Sequence, residues 1–212
     1  MTICWLRHGE TALNATRVMQ LADTPLSARG LLQATLAAQR IAGLAPAAIL
    51  SSDLPRARQT AEAAAAATGL PIVTEPLLRE RNFGDWRGRP LTSFDFDPVA
   101  APQAPPGGES MAEFMARLAR AWLHVAALRA ELAGPLLVVS HGLLIRAALQ
   151  AHALRDASGE VAASMTPLNV PPLANASLSI VDAGAPHRLR LVNCTAHLTG
   201  AADDDGQSLS GG

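Results

Sequence analysis

Residues 2–11 read Thr2-Ile3-Cys4-Trp5-Leu6-Arg7-His8-Gly9-Glu10-Thr11: a short apolar run that gives way at once to polar residues and a glycine. Ile3 to Leu6 reads as a first, buried strand, and Arg7 to Thr11 as the loop at its C-terminal end. In open α/β sheets that edge is where ligands bind. Further along, apolar runs of strand length alternate with longer helix-like stretches, which predicts a mainly parallel sheet covered by helices on both faces.

Ser27 is placed to cap a helix to about Ala42, and Ala47 to Leu50 reads as the next strand. Asp53 is expected to cap an alanine-rich helix that stops at Gly69. Residues 89–108 are rich in proline and glycine with little periodicity, so they read as a long surface loop or lid. Ser110-Met111-Ala112-Glu113 has capping-box spacing and opens a helix to about Leu132. Leu136 to Val139 is another strand, ending in Ser140-His141-Gly142 before a helix through His152. Leu178 to Val181 and Leu189 to Val192 are the last strands expected. The tail 201–212, with three successive aspartates and Ser/Gly, reads as disordered. One catalytic domain over 1–200 is the expected organisation, since 212 residues is long for one domain and short for two.

Composition narrows the chemistry. The formal net charge is -1, and all 17 basic side chains are arginine. A lysine-free chain loses the usual reagent of a P-loop, a protein kinase or a Schiff-base enzyme. Near-neutral charge argues against nucleic acid as the main ligand. Cys4 and Cys194 form no metal or disulfide spacing and are expected to be buried spectators. Neither a signal-like N-terminus nor a membrane-length apolar run is present, so no membrane association is expected and a cytoplasmic enzyme fits best.

A phosphoryl group in flight carries negative charge on its equatorial oxygens. It therefore calls for fixed cationic donors, a nucleophile and a proton donor for the leaving oxygen. Arg7 and His8 follow the first strand, Arg56 opens the helix after Ser51-Ser52-Asp53, and His141 follows a later strand. If those strands are neighbours, two guanidinium groups and two imidazoles converge at one edge. Glu80, in Leu78-Arg79-Glu80-Arg81-Asn82-Phe83-Gly84-Asp85-Trp86, is the best carboxyl candidate; the bland alternative is an ion pair with Arg79 or Arg81. Asp95-Phe96-Asp97-Pro98-Val99 imitates an aspartate-nucleophile motif, but its setting in a proline-rich loop of a lysine-free chain rejects that reading.

Six separated segments together resemble the histidine phosphatase superfamily, which includes phosphoglycerate mutases and many small-molecule phosphatases. They are Leu6 to Thr11 with Asn14, Ser51 to Ala57 with Thr60 to Glu62, Glu80 with Phe83 to Trp86, Gly107 to Ser110, Val139 to Gly142 with Ile145-Arg146, and Asn193 through Leu198. A lone Arg-His-Gly would be a weak signal; the ordered set is a strong one. The resemblance implies a three-layer α/β/α sandwich whose mostly parallel sheet includes an antiparallel strand. It implies phosphoryl transfer through a phosphohistidine on His8. Arg7, Arg56 and His141 would hold the phosphoryl oxygens, and Glu80 would act as general acid, then base. Thr11, Asn14 and Gln20 are rim contacts on the same basis.

Gln20 stands where many relatives carry glycine, and Arg87 where phosphatase-like members often carry glutamate; a surface position is expected for Arg87. The Asn82-Phe83-Gly84 segment and the lack of lysine favour a phosphatase of small phosphorylated metabolites over a mutase-type phosphotransferase. A non-catalytic phospho-ligand-binding relative is the remaining alternative. No metal or other cofactor is called for, and a homodimer is the family-based expectation.

Overall fold

The computed structural model describes residues 1–154, 169–185 and 187–199. The opening run forms β1 (Thr2–Arg7), buried from Ile3 onward. After a four-residue helix, α1 (Ala12–Ala15), come α2 (Ala28–Ala42), β2 (Ala48–Ser51), α3 (Pro55–Thr68) and β3 (Ile72–Thr74). Beyond the lid follow α4 (Met111–Ala130), β4 (Leu136–Ser140), α5 (Gly142–His152), β5 (Ala153–Leu154), β6 (Leu178–Asp182) and β7 (His187–Cys194). The seven strands lie in the order β3-β2-β4-β1-β6-β7-β5. Of these, β6 alone runs against its neighbours, pairing antiparallel with β1 and β7 while the other pairings are parallel.

Strand alternation sorts the core into two layers. Ile3, Trp5, Leu136 and Val138 point to the side covered by α4 and α5, where Phe114, Leu118, Trp122, Leu144 and Ala148 meet them. Cys4, Leu6, Leu137 and Val139 point to the other, against Ala37 and Ile41 of α2 and Ala57, Ala61 and Ala64 of α3. The result is the three-layer α/β/α sandwich. On the first side Trp5 stacks on Trp122, ring centroids 6.0 Å apart, and Trp122 stacks in turn on His152 at 4.6 Å.

The expected caps are found at Ser27 and at the Ser110/Glu113 capping box. The α3 cap is not the one expected. Its N-cap is Leu54, without a side-chain cap bond, and Pro55 takes the first turn. Proline has no N–H to satisfy there, so less capping is needed. Asp53 is instead drawn to Arg79, whose Nε lies 2.7 Å from Oδ1. Cys4 is buried, whereas Cys194 is only half-buried. The tail expected to be disordered, 201–212, lies outside the described residues.

Two glycines let α2 approach the loop after β1. A Cβ on Gly30 would lie 2.0 Å from the carbonyl oxygen of Glu10, and one on Gly9 would lie 2.5 Å from that of Gly30. Backbone is on both sides of the contact, so no rotamer change relieves it. Gly30→Ala should therefore destabilise the fold by about 1–3 kcal/mol, read as a lower urea midpoint at unchanged slope. A gain in midpoint, as expected for alanine in an unconstrained helix, would refute the close approach.

The lid is irregular but anchored. Buried Arg81 donates to the carbonyls of Val99 and Gln103 within the 89–108 loop and of Glu109 just beyond it, fixing the loop beside the acid segment. Trp86, Phe94 and Phe96 meet edge to face at 5.4–5.6 Å, and Arg89 lies over Phe94. These contacts make a small satellite core.

Candidate active site

The parallel pairing of β1 with β4 sets Arg7 opposite Ser140. The next residue on each strand is a histidine, so register alone brings His8 beside His141. Their ring centroids are 5.2 Å apart and both side chains are fully buried. The β2–β4 pairing adds Ser52 at the same edge, where its N–H donates to Val139 O. Arg56, in the first turn of α3, is also buried there.

His8 Nδ1 lies 2.7 Å from Gly9 O. That carbonyl can only accept, so the proton sits on Nδ1 and the buried Nε2 keeps its lone pair with no partner among the described residues. Burial, reinforced by the charges of Arg56 and Arg7, holds the His8 pKa well below that of a free imidazole. The ring is therefore neutral near pH 7.

His141 Nε2 lies 2.9 Å from Ser52 Oγ. Ser52 Oγ also accepts from Leu54 N at 3.3 Å, and its second lone pair and its proton both remain for His141. His141 Nδ1 is a second buried nitrogen without a described partner. Burial and then Arg56 depress the His141 pKa as well.

Arg7 donates through Nη1 to Leu173 O, and Arg56 through Nη1 to Leu21 O at 3.2 Å. Arg7 Nε and Nη2 and Arg56 Nε are left without described partners. Gly142 makes room here: a Cβ on it would lie 3.2 Å from Arg7 Nε. Burial lowers both guanidinium pKa values to about 10, partly offset by the charge of Glu80. Both remain cationic at neutral pH.

Glu80 is 4% exposed; it accepts from the backbone N–H of Arg81 at 3.2 Å, but neither flanking guanidinium pairs with it. Arg79 is taken by Asp53, and the Arg81 guanidinium by the carbonyls of Val99, Gln103 and Glu109. Its carboxyl sits instead on the N-terminus of α5, where Leu143 N reaches Oε2 at 3.0 Å and Leu144 N reaches Oε1 at 3.1 Å. Burial raises its pKa, against the opposing pull of the Leu143 amide and of Arg56 and Arg7. A carboxyl whose pKa is raised keeps its proton to higher pH than a free one, which is the property a general acid needs.

The three rim candidates form one hydrogen-bonded group. Thr11 caps α1 by accepting from Asn14 N at 3.0 Å, and its hydroxyl lies 3.1 Å from Gln20 Oε1. Asn14 Nδ2 and Gln20 Nε2 are buried without described partners. Arg87 departs from the surface position expected: it is half-buried, and its charge is felt at Arg56.

Sequence reading missed Asn175, which donates through Nδ2 to His8 O and Gly9 O, each at 3.3 Å, and to Asn14 Oδ1 at 3.1 Å. It holds the carbonyl that orients His8. Asn193, at φ 51°, supports this loop by accepting from Ala174 N at 2.7 Å. Asn175 had no detectable signal, being a single amide between alanines. Ser52 lay inside a quoted motif, but its bond to His141 depends on the β2–β4 register.

His197 Nε2 meets Ala176 O at 2.9 Å, His124 pairs with Glu75, and neither joins the site. His187 is the first residue of β7. No described helix is long and apolar enough to cross a membrane.

The chain is similar to known proteins over most of its length. The chain is 36% identical over 200 residues to the "Probable phosphoglycerate mutase GpmB" of Yersinia enterocolitica, covering 90% of this chain and 80% of that one. The mycobacterial glucosyl-3-phosphoglycerate phosphatase, solved in complex with VO3, superposes with a TM-score of 0.75 at 30% identity, covering 92% of this chain and 99% of that one. Bacillus stearothermophilus YhfR gives a TM-score of 0.77 at 27% identity, covering 93% and 98%. Residues 3–195 match the model of the histidine phosphatase superfamily, branch 1, and the chain belongs to that family.

Proposed function

We propose that the chain hydrolyses phosphate monoesters of small molecules through a phosphohistidine on His8. One observation carries the reading: unpartnered buried nitrogens of His8, His141, Arg7 and Arg56 gather at one sheet edge, within the field of a buried carboxyl. Buried polar atoms are ordinarily satisfied, so a cluster of orphan donors around one lone pair fits a polyanionic ligand.

His8 Nε2 attacks phosphorus in line with the ester oxygen, and the P–O bond to the alcohol breaks. Glu80 gives its proton to that oxygen. Arg7, Arg56 and His141 Nδ1–H hold the three remaining oxygens as charge develops on them. Water then attacks the phosphohistidine, Glu80 takes its proton, and the P–N bond breaks to return neutral His8 and phosphate. Thr11, Asn14 and Gln20 belong to the rim in this scheme.

The phosphatase identity of a closely superposing structure and the absence of lysine support hydrolysis. The name of the Yersinia relative favours a second reading, transfer to another substrate hydroxyl. Purified protein should release phosphate from p-nitrophenyl phosphate without added metal. It should also release phosphate from 3-phosphoglycerate or other metabolites faster than it isomerises 3-phosphoglycerate, with or without a bisphosphate primer. Efficient isomerisation with little phosphate release would overturn the hydrolase in favour of the mutase. Phosphate binding without turnover on any ester would leave only a binding module.

A further inference from the structure

A cavity of about 700 Å³ lies beside the catalytic edge, outside the set of residues that hold the phosphoryl group. One wall is a single face of α5: Leu143, Arg146, Ala147, Gln150 and Ala151 follow the i, i+3, i+4, i+7, i+8 pattern. Phe96, Pro98 and Val99 of the lid and Met111 and Met115 of α4 also line it. Pro172 adds a further side, one residue before the carbonyl that holds Arg7. Leu143 borders both places, lining the cavity and donating its backbone N–H to Glu80.

Two features identify the occupant. Phe96 and Met115 are 42% and 38% exposed, among the few large apolar side chains of the chain left uncovered, and both face this cavity. Its charged lining is two arginines, Arg17 and Arg146, against one aspartate, Asp97. Asp97 is engaged with Val99 N at 2.9 Å, while Arg17 is exposed and held at φ 57° on the rim. An apolar chamber with a net positive rim suits a ligand that is apolar along its body and anionic at the end entering the phosphoryl site.

We propose that this cavity seats the alcohol portion of the substrate, and that the preferred substrates are phosphate monoesters of bulky, largely apolar alcohols. The inference rests on the phosphomonoesterase reading for its chemistry, but its binding geometry can be tested apart from turnover. With the ester oxygen at Glu80, a substituent runs along α5. At about 1.5 Å per residue, Ala147 lies roughly 6 Å beyond Leu143, within reach of a six-carbon chain.

Calorimetric titration of the full chain with methyl-, hexyl- and 3-hydroxypropylphosphonate, which cannot be hydrolysed, reads the subsite directly. Hexylphosphonate should bind about thirtyfold more tightly than the other two, below the roughly fourfold per methylene that complete burial would give. Ala147→Trp, which fills the middle of the chamber, should remove at least tenfold of that gain and leave methylphosphonate unchanged. Met115→Gln, at an exposed position tolerant of substitution, should weaken hexylphosphonate severalfold.

Equal affinities for methyl- and hexylphosphonate would overturn the proposal. So would a hexyl preference untouched by both variants. Phosphate release from hexyl, 1-naphthyl and glycerol phosphates then separates the two readings. A hexylphosphonate preference without release from any ester keeps the subsite and defeats the hydrolase. Release from glycerol phosphate as efficient as from hexyl phosphate, with equal phosphonate affinities, keeps the hydrolase and defeats the subsite.

Discussion

His8→Asn is expected to lower kcat by at least about 10⁴-fold while leaving the protein folded and able to bind phosphate or vanadate. The asparagine amide can still donate to Gly9 O, the bond that His8 Nδ1 makes at 2.7 Å, so the loop after β1 should keep its course. The variant loses the Nε2 lone pair, and neither amide atom is a comparable nucleophile. The decisive measurement is rapid-quench labelling with a phosphate ester. Wild-type protein should accumulate an acid-labile, base-stable phosphoryl adduct, and His8→Asn should form none. Retention of more than about 1% of wild-type turnover by His8→Asn would require direct attack by water and would sink the covalent route.

Glu80→Gln should lower kcat/KM by about 10²–10⁴-fold for alkyl phosphates and only about tenfold for p-nitrophenyl phosphate. Nitrophenolate leaves without a proton, whereas an alkoxide does not, so the ratio between substrates reports proton donation. A structural role for Glu80 would lower both equally. The pH dependence follows from the directions of the two shifts. The His8 pKa is pushed down, so the nucleophile stays neutral well into the acid range; the Glu80 pKa is pushed up, so its proton is retained to higher pH than in a free carboxyl. Turnover of alkyl esters should therefore fall as pH rises through the raised Glu80 pKa. In Glu80→Gln that alkaline limb should disappear. The variant should also lose stability, by about 1–3 kcal/mol, because an amide nitrogen would face the Leu143 or Leu144 N–H that a carboxylate oxygen now accepts.

The elements that carry the site were legible where apolar runs end sharply in chemistry-bearing residues, as at Leu6-Arg7-His8 and Val139-Ser140-His141. What stayed hidden depends on distance in sequence. The strand β3 has only three residues, with Val73 55% exposed, and β5 has only two, too short for periodicity to mark. The partner of Asp53 is 26 residues away, so a capping rule based on neighbours chose the nearer role. Arg81 read as an ion-pair candidate for Glu80, yet its guanidinium turns to backbone carbonyls 18 to 28 positions on. Glu80 itself was legible as the acid candidate, but its seat on the α5 amides was not, because it joins positions 63 and 64 residues apart. The apolar cavity belongs to the same class: its walls come from α4, α5, the lid and the segment before β6, and no one of them signals it alone.

The aromatic triangle of the lid has an optical consequence. The chain has three tryptophans. Trp5 and Trp122 are sealed in the core at 1% and 4% exposure, stacked on one another. Trp86 is half-buried at the lid, in edge contact with Phe96, which lines the cavity. The emission therefore divides by location: two fluorophores shielded from a collisional quencher such as acrylamide, and one within its reach. A ligand settling against Phe96 would act on the quenchable fraction alone, so the native chain reports occupancy of its lid without an added label.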